Sequence, residues 1–280
     1  MDFKQFSNLI MIEQTLFALP FALLGVVFAG GGDLFIWTLV MAAVAAARTA
    51  GMSFNRVIDA RIDAKNPRTK DRLLPKGELS EETVWITAIL SSLLLILTAW
   101  MLNDLCFYLS FPAVGLLFTY SYFKRFSASS HLYLGLVESA APIGGYLAVT
   151  GAFSLMPFIL GAIILFWIAG LDIVYALQDE TFDAREGLKS IPVRYGRERA
   201  VMISTAFYGL SLVLLCLAGV MADKGPFFWT GTMLVAGIFT YQQRLARHEP
   251  ITEVIQPFFR VNMVVSPILF FSAFFDLVFG

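Results

Sequence analysis

Hydrophobic residues along this chain come in long blocks, with the polar residues gathered into short stretches between them. Nine blocks approach the roughly 20 residues that an α-helix needs to cross a bilayer. They lie at about 11–29, 34–54, 83–101, 104–121, 132–150, 155–178, 199–222, 226–243 and 261–279. The pattern predicts an all-α integral membrane protein, with about nine transmembrane helices in a single bundle. No low-complexity linker divides the chain, so residues 1–280 read as one polytopic domain. Pro20 falls inside the first block, which a bundle tolerates when neighbours satisfy the freed backbone. With only Lys4 upstream and no A-x-A pattern, that block is expected to stay as the first helix.

Composition agrees. The 280 residues are 58% hydrophobic and 15% charged, which excludes an ordinary soluble domain. Cys106 and Cys216 both fall inside blocks and read as packing residues, without zinc or disulfide spacing. A net charge of −1 says little about partners, and no nucleic acid is expected. The basic residues are distributed unevenly. Lys65, Arg68, Lys70, Arg72 and Lys76 follow the second block, Lys124 and Arg125 the fourth, Arg185, Lys189, Arg194, Arg197 and Arg199 the sixth, and Arg244, Arg247 and Arg260 the eighth. The opposite loops hold only Lys224. This asymmetry places the basic loops in the cytoplasm. The expected setting is a bacterial or archaeal-type cytoplasmic membrane, with the functional cavity opening on the cytoplasmic side.

Two acidic triplets lie on that side: Asn55, Asp59, Asp63, and Tyr175, Asp179, Asp183, with Asp172 preceding the second. Four-residue spacing puts such side chains on one face of a helix. Carboxylates stacked in this way repel one another and call for a cation. Their oxygens suit Mg²⁺, which bridges to phosphate oxygens. Each triplet follows an apolar helix and precedes a basic loop and a proline, as in an internal duplication with the site between its halves. The first helix is expected to break near Asn66-Pro67, and Ser80 to cap the next. In the second segment Gly187 reads as a stop and Ile191-Pro192 as an extended turn.

These parts suit a substrate with a diphosphate head and an isoprenoid tail. Asp59, Asp63, Asp179 and Asp183 would hold Mg²⁺, with Asn55 as a neutral ligand. Arg56, Arg72, Lys124, Arg125, Lys189 and Arg194 are candidates for the remaining phosphate charge. Loss of diphosphate leaves an allylic cation, which Tyr175 is placed to shield; Tyr120, Tyr122 and Phe54 are looser candidates. Arg48 lies inside the second block, two turns before Asn55, and a charge at that depth is a functional candidate for an aromatic carboxylate. Glu138 and Glu13 are lesser candidates, set against a local hydrogen-bonded pair. His131 and His248 read as surface residues.

The chain resembles the UbiA-type intramembrane prenyltransferases. The resemblance is carried by Asn55-Arg56-Val57-Ile58-Asp59-Ala60-Arg61-Ile62-Asp63, by Arg72-Leu73-Leu74-Pro75-Lys76-Gly77, by Tyr120 to Arg125, and by Asp172 to Ser190. It implies a nine-helix bundle that moves a polyprenyl chain from its diphosphate to an aromatic or other acceptor, using Mg²⁺. The match assigns Asn55, Asp59, Asp63, Asp179 and Asp183 to the metal–diphosphate, Lys124 to phosphate and Arg48 to hydroxybenzoate. Two departures stand out: Met11 where the family often has Arg, and Ser121 in place of a frequent proline. The implied acceptor is 4-hydroxybenzoate, as in ubiquinone synthesis, with a dihydroxynaphthoate of menaquinone synthesis as the alternative. The rival classes are an ion-coupled transporter, which would place its charges near the midplane, and a diphosphate hydrolase or terpene cyclase, which would need no aromatic acceptor.

Overall fold

A computed structural model of the chain describes residues 1–247 and 250–280, and among these the side chains of all but Glu13 and Gln14. The expectations for Glu13 and His248 lie outside the described side chains. The described residues form thirteen helices and no strand: α1 (Phe3–Ile10), α2 (Ile12–Phe28), α3 (Leu34–Asp63), α4 (Glu81–Leu102), α5 (Asp104–Phe123), α6 (Ser130–Thr150), α7 (Leu155–Ala176), α8 (Glu180–Glu186), α9 (Ile191–Tyr195), α10 (Arg197–Met221), α11 (Pro226–Ala246), α12 (Ile251–Asn262) and α13 (Val265–Phe279).

Helices occupy all nine predicted places, but apolar length is met at fewer. Among the described residues seven helices are long and apolar enough to cross a bilayer, eight if the bent pair at the N-terminus is one span. α11 has the length but is diluted by Thr230, Thr232, Thr240, Gln242 and Gln243. The first block is filled by a single helix, α2, and a separate short helix, α1, precedes it. Met11 sits at the junction of α1 and α2 with φ 50, in the left-handed region, and breaks the run there. Polar side chains cap the starts of α3, α5 and α4. Asp33 accepts from Ile36 N at 2.8 Å, Asn103 from Cys106 N at 2.9 Å, and Ser80 caps α4 as its position suggested. α3 runs on through the first acidic triplet for 30 residues and stops at Asp63, three residues short of Asn66.

α7 lies at the centre. It packs on α6 and α10, while α2 packs on α6 and α13, and α3 on α4 and α5. Trp167 on α7 is fully buried, with Phe17 and Phe21 of α2 edge-on to its ring at 5.7 and 5.2 Å. The α2–α6 contact is closer than side chains normally permit. A Cβ on Gly145 would lie 1.9 Å from Ala22 O, and one on Gly25 would lie 2.1 Å from Pro142 O. Within lipid, packing of this kind has to supply the attraction that the hydrophobic effect supplies in water. Gly145→Val is therefore expected to force α2 and α6 apart at a cost on the order of 3 kcal/mol. A fall in melting temperature in detergent, and loss of the monodisperse fraction, checks it.

Candidate active site

One cavity of about 680 Å³ opens among α2, α3, α5, α6 and α7, and it collects nearly every predicted residue. Asn55, Arg56, Asp59, Asp63, Arg72, Lys124, Tyr175, Asp179, Asp183 and Lys189 line its charged end, and Arg48, Tyr120 and Asp172 also face it. The walls beyond are apolar, among them Val40, Val44, Leu109, Leu117 and Leu147. The two acidic rows thus share one space. Arg125, Arg194, Tyr122 and Phe54 stand outside it. Arg125 stacks on Tyr122, with 5.0 Å to the ring centroid, and donates to Ile58 O at 2.7 Å. Arg194 stacks on Tyr195 at 5.2 Å.

The first triplet is presented by an unbroken helix, as its spacing required. Asn55 Nδ2 donates to Asp59 Oδ2 at 3.0 Å and to Ser121 Oγ at 3.1 Å. Ser121, one of the departures from the family pattern, therefore helps hold the carboxamide, and no donor among the described residues reaches its Oδ1. Asp59 is 1% exposed and takes Lys124 Nζ at 2.7 Å, with Arg125 Nη2 further off at 3.4 Å. Asp63 takes Arg72 Nη1 at 2.6 Å.

The second triplet is a correction. α7 ends at Ala176 and α8 begins at Glu180, so Tyr175, Asp179 and Asp183 do not share one helix. The turn tightens first: Leu177, Gln178 and Asp179 N–H groups each donate three residues back, to Val174, Tyr175 and Ala176. Gly187 then ends α8 at φ 72, as predicted. Ile191-Pro192 is no extended turn. Proline stands in the first turn of the short helix α9, where its missing N–H costs nothing.

Sequence reasoning missed the residue that ties the loop after α3 to the second row. Arg68, from the loop between α3 and α4, donates through Nε to Asp179 Oδ1 at 3.0 Å and through Nη2 to Oδ2 at 2.5 Å. Its Nη1 reaches Tyr175 OH at 2.6 Å, and the guanidinium lies 4.9 Å from the Tyr175 ring centroid. Asn66 Nδ2 adds a bond to Asp179 Oδ1 at 3.1 Å. Burial pulls the Arg68 pKa down, but the Asp179 bond and the Tyr175 and Asp179 charges outweigh it and raise it overall. Loop position alone made Arg68 read as a topology signal. The same holds for His131, which is 2% exposed rather than at the surface. Glu138 forms a pair that is not local: Arg48 Nη1 donates to its Oε1 at 2.5 Å, across 90 residues of sequence.

Apart from the exposed Lys189, two charged groups in the cavity have no such partner among the described residues. Arg56 is 6% exposed and makes no hydrogen bond or ion pair among the described residues. Asp183 makes none through its carboxylate either; burial, then the neighbouring Asp179 carboxylate, pushes it up to about 6. No three His, Cys, Asp or Glu side chains converge as a metal cluster among the described residues. The reason is local, since Asp59, Asp63 and Asp179 are each drawn to a cation of the chain. The donor set still fits a hard divalent ion: carboxylate oxygens, one carboxamide oxygen without a donor, and a carboxyl that a neighbouring cation would relieve.

Comparison with known proteins gives the same answer as the geometry. Residues 18–264 match the model of the UbiA prenyltransferase family. The chain belongs to that family, and is a prenyltransferase. It is similar to 4-hydroxybenzoate octaprenyltransferase of Vibrio atlanticus, 30% identical over 93% of this chain and 90% of that protein. The enzyme of the same name from Xanthomonas euvesicatoria is 32% identical over 82% and 76%. Among solved structures, an apo UbiA homolog from Aeropyrum pernix K1 superposes with TM-score 0.88 at 31% identity, covering 95% of this chain and 98% of that one. A UbiA homolog from Archaeoglobus fulgidus, bound to GPP and Mg²⁺, shares the fold at TM-score 0.70 and 20% identity, over 96% and 99%.

The strained carboxyl at Asp183 has a measurable consequence. Its ionisation costs nothing below the ordinary carboxylate range, costs more as pH rises through about 6, and costs its full amount above that. Asp183→Asn is thus expected to raise the melting temperature of the metal-free prenyltransferase at about pH 7.5, with the gain shrinking toward about pH 4.5. Thermal scans of both proteins in EDTA across that range check it.

Proposed function

We propose that this prenyltransferase moves a polyprenyl chain from its diphosphate onto 4-hydroxybenzoate and releases diphosphate, with Mg²⁺, at a cavity facing the cytoplasm. The observation that carries the reading is the pairing state of the cavity: among the described residues the Arg56 and Asp183 side chains lack hydrogen-bonded partners, so one space calls for both an anion and a cation. A metal–diphosphate answers both. The relatives named for 4-hydroxybenzoate support the acceptor, and the basic loops support the orientation.

Asn55, Asp59, Asp63, Asp179 and Asp183 would hold the metal, which on binding neutralises charge on the departing diphosphate. Arg56 lies ready for diphosphate oxygens, while Lys124 and Arg72 exchange a carboxylate for them. Lys189 is exposed at the same end and adds a point charge. Tyr175 already faces a guanidinium, so its ring is placed to attract an allylic cation once Arg68 withdraws. The apolar walls exclude water and accept the tail. Arg48 holds the acceptor: Glu138 occupies one Nη, while the Nε–H is buried without a partner, leaving one edge of the guanidinium for a carboxylate.

Three outcomes are expected. Asp59→Asn and Asp179→Asn each lower turnover about 100-fold or more in folded protein, and EDTA abolishes turnover until Mg²⁺ is restored. Arg56→Ala raises KM for the prenyl diphosphate, and Arg48→Ala raises KM for the aromatic acid. An acceptor panel scored by product mass gives prenylated 4-hydroxybenzoate; product only from a naphthoate would reassign the acceptor, and consumption of prenyl diphosphate without any acceptor would favour a hydrolase or cyclase.

A further inference from the structure

His131 opens α6 and is buried against α7 and α9. Both of its ring nitrogens are engaged. Ile191 N–H donates to Nε2 at 3.2 Å, so that nitrogen carries no proton. The proton is therefore on Nδ1, which donates to Asp172 Oδ2 at 2.7 Å. The Ile191 N–H is itself fixed, because Ser190 caps α9. The imidazole is thus pinned between the backbone of α9 and a carboxylate of α7. Asp172 Oδ1 has no donor among the described residues, and Asp172 lines the cavity with 24% of its side chain exposed.

The depth of Asp172 is informative. Seven residues separate Arg48 from Asn55 on α3 and His131 from Glu138 on α6, which is two turns, or about 10 Å, in each case. Asp172 lies seven residues before Asp179 on α7 and its turn, and bonds to His131. The Arg48–Glu138 pair is therefore deep, the metal-ligand carboxylates are at the mouth, and Asp172 stands between them. Tyr120 lines the same cavity on α5, four residues or about one turn before Lys124, the partner of Asp59. An acceptor held by Arg48 would present its ring there, facing the allylic carbon of a diphosphate held at the mouth.

We propose that Asp172 takes the proton displaced from the acceptor ring, and that His131 is the positioning residue that aims it. The proposal rests on the aromatic prenyltransferase reading above. A pair of ring electrons forms the new C–C bond to the allylic carbon, and the C–O bond electrons leave with diphosphate. The alkylated ring carbon then carries one hydrogen too many. Its C–H pair returns to the ring, and the proton passes to Asp172 Oδ1, with no oxidant or reductant required. His131 keeps its own proton throughout: its bond stabilises the carboxylate and turns the free oxygen to the cavity.

The test uses full-length protein and a ring-deuterated form of whichever aromatic acid the wild type prenylates. In the wild type, deuterium is expected to have little effect on kcat. Asp172→Asn should lower kcat about 100-fold or more and expose a primary isotope effect, because proton removal becomes slow. His131→Ala should lower kcat about 10- to 100-fold with KM unchanged and the same isotope signature. His131→Gln should recover much of the loss, since its amide can accept from Ile191 N–H and donate to Asp172. Melting temperature and prenyl diphosphate binding control for folding. Near-normal kcat in Asp172→Asn, or a loss without an isotope effect, overturns the proton acceptor. Equal losses in both His131 variants without an isotope effect reduce His131 to packing. No prenylated aromatic product from the wild type would instead strike the reading beneath.

Discussion

A charge taken out of water at the end of an apolar bundle has to be answered by an opposite charge or a ligand, and the structure of this prenyltransferase follows from that requirement. Six carboxylates and a comparable set of bases line one cavity. Most answer one another: Lys124 with Asp59, Arg72 with Asp63, Arg68 with Asp179, Arg48 with Glu138, and His131 with Asp172. Among the described residues, and apart from the exposed Lys189, Arg56 and Asp183 do not. Desolvation makes their position expensive, and a ligand that brings both signs of charge relieves both costs together.

The same pairs explain how the site keeps its shape without that ligand. A bare row of carboxylates would splay apart through mutual repulsion. Lys124 and Arg72 hold the first row in place, while Arg68 and Asn66 tie the loop after α3 to the second. Lys65 to Glu186, at 2.6 Å, joins the same loop to α8. The last of these is largely exposed and contributes little; the buried ones set the geometry. A ligand of the proposed kind would exchange partners at sites already in register, so the carboxylate oxygens need not be gathered from a disordered loop.

Depth along the helices orders the chemistry. Helices α3, α5, α6 and α7 stack three levels of polar groups around one cavity, from the acidic rows at the mouth, through Asp172 and Tyr120, to Arg48 and Glu138. The level assignment depends on close contacts remote from the chemistry. Gly25 and Gly145 let α2 and α6 touch backbone to backbone, and Trp167 locks α2 onto α7. A shift of a single turn would separate groups that have to meet across the bound substrates.

Hydrophobic periodicity and four-residue spacing determined the helical class and the shared face of the first acidic row, with the family carried by the resemblance of the motifs, because those properties are local: an apolar block has one low-energy form in lipid, and residues four apart on an unbroken helix share a face. The second row shows the limit. Its spacing is the same, yet the chain tightens after Ala176 and re-aims Asp179 and Asp183, a choice made by packing against the loop from α3. Partners distant in sequence were equally hidden. Nothing near Arg68 points to Asp179, nothing near His131 points to Asp172 or Ile191, and nothing near Arg48 points to Glu138. Which charges pair and which stay open is decided by how helices far apart in the chain are brought together, because electrostatic pairing depends on distance in space, and only the tertiary structure sets that distance.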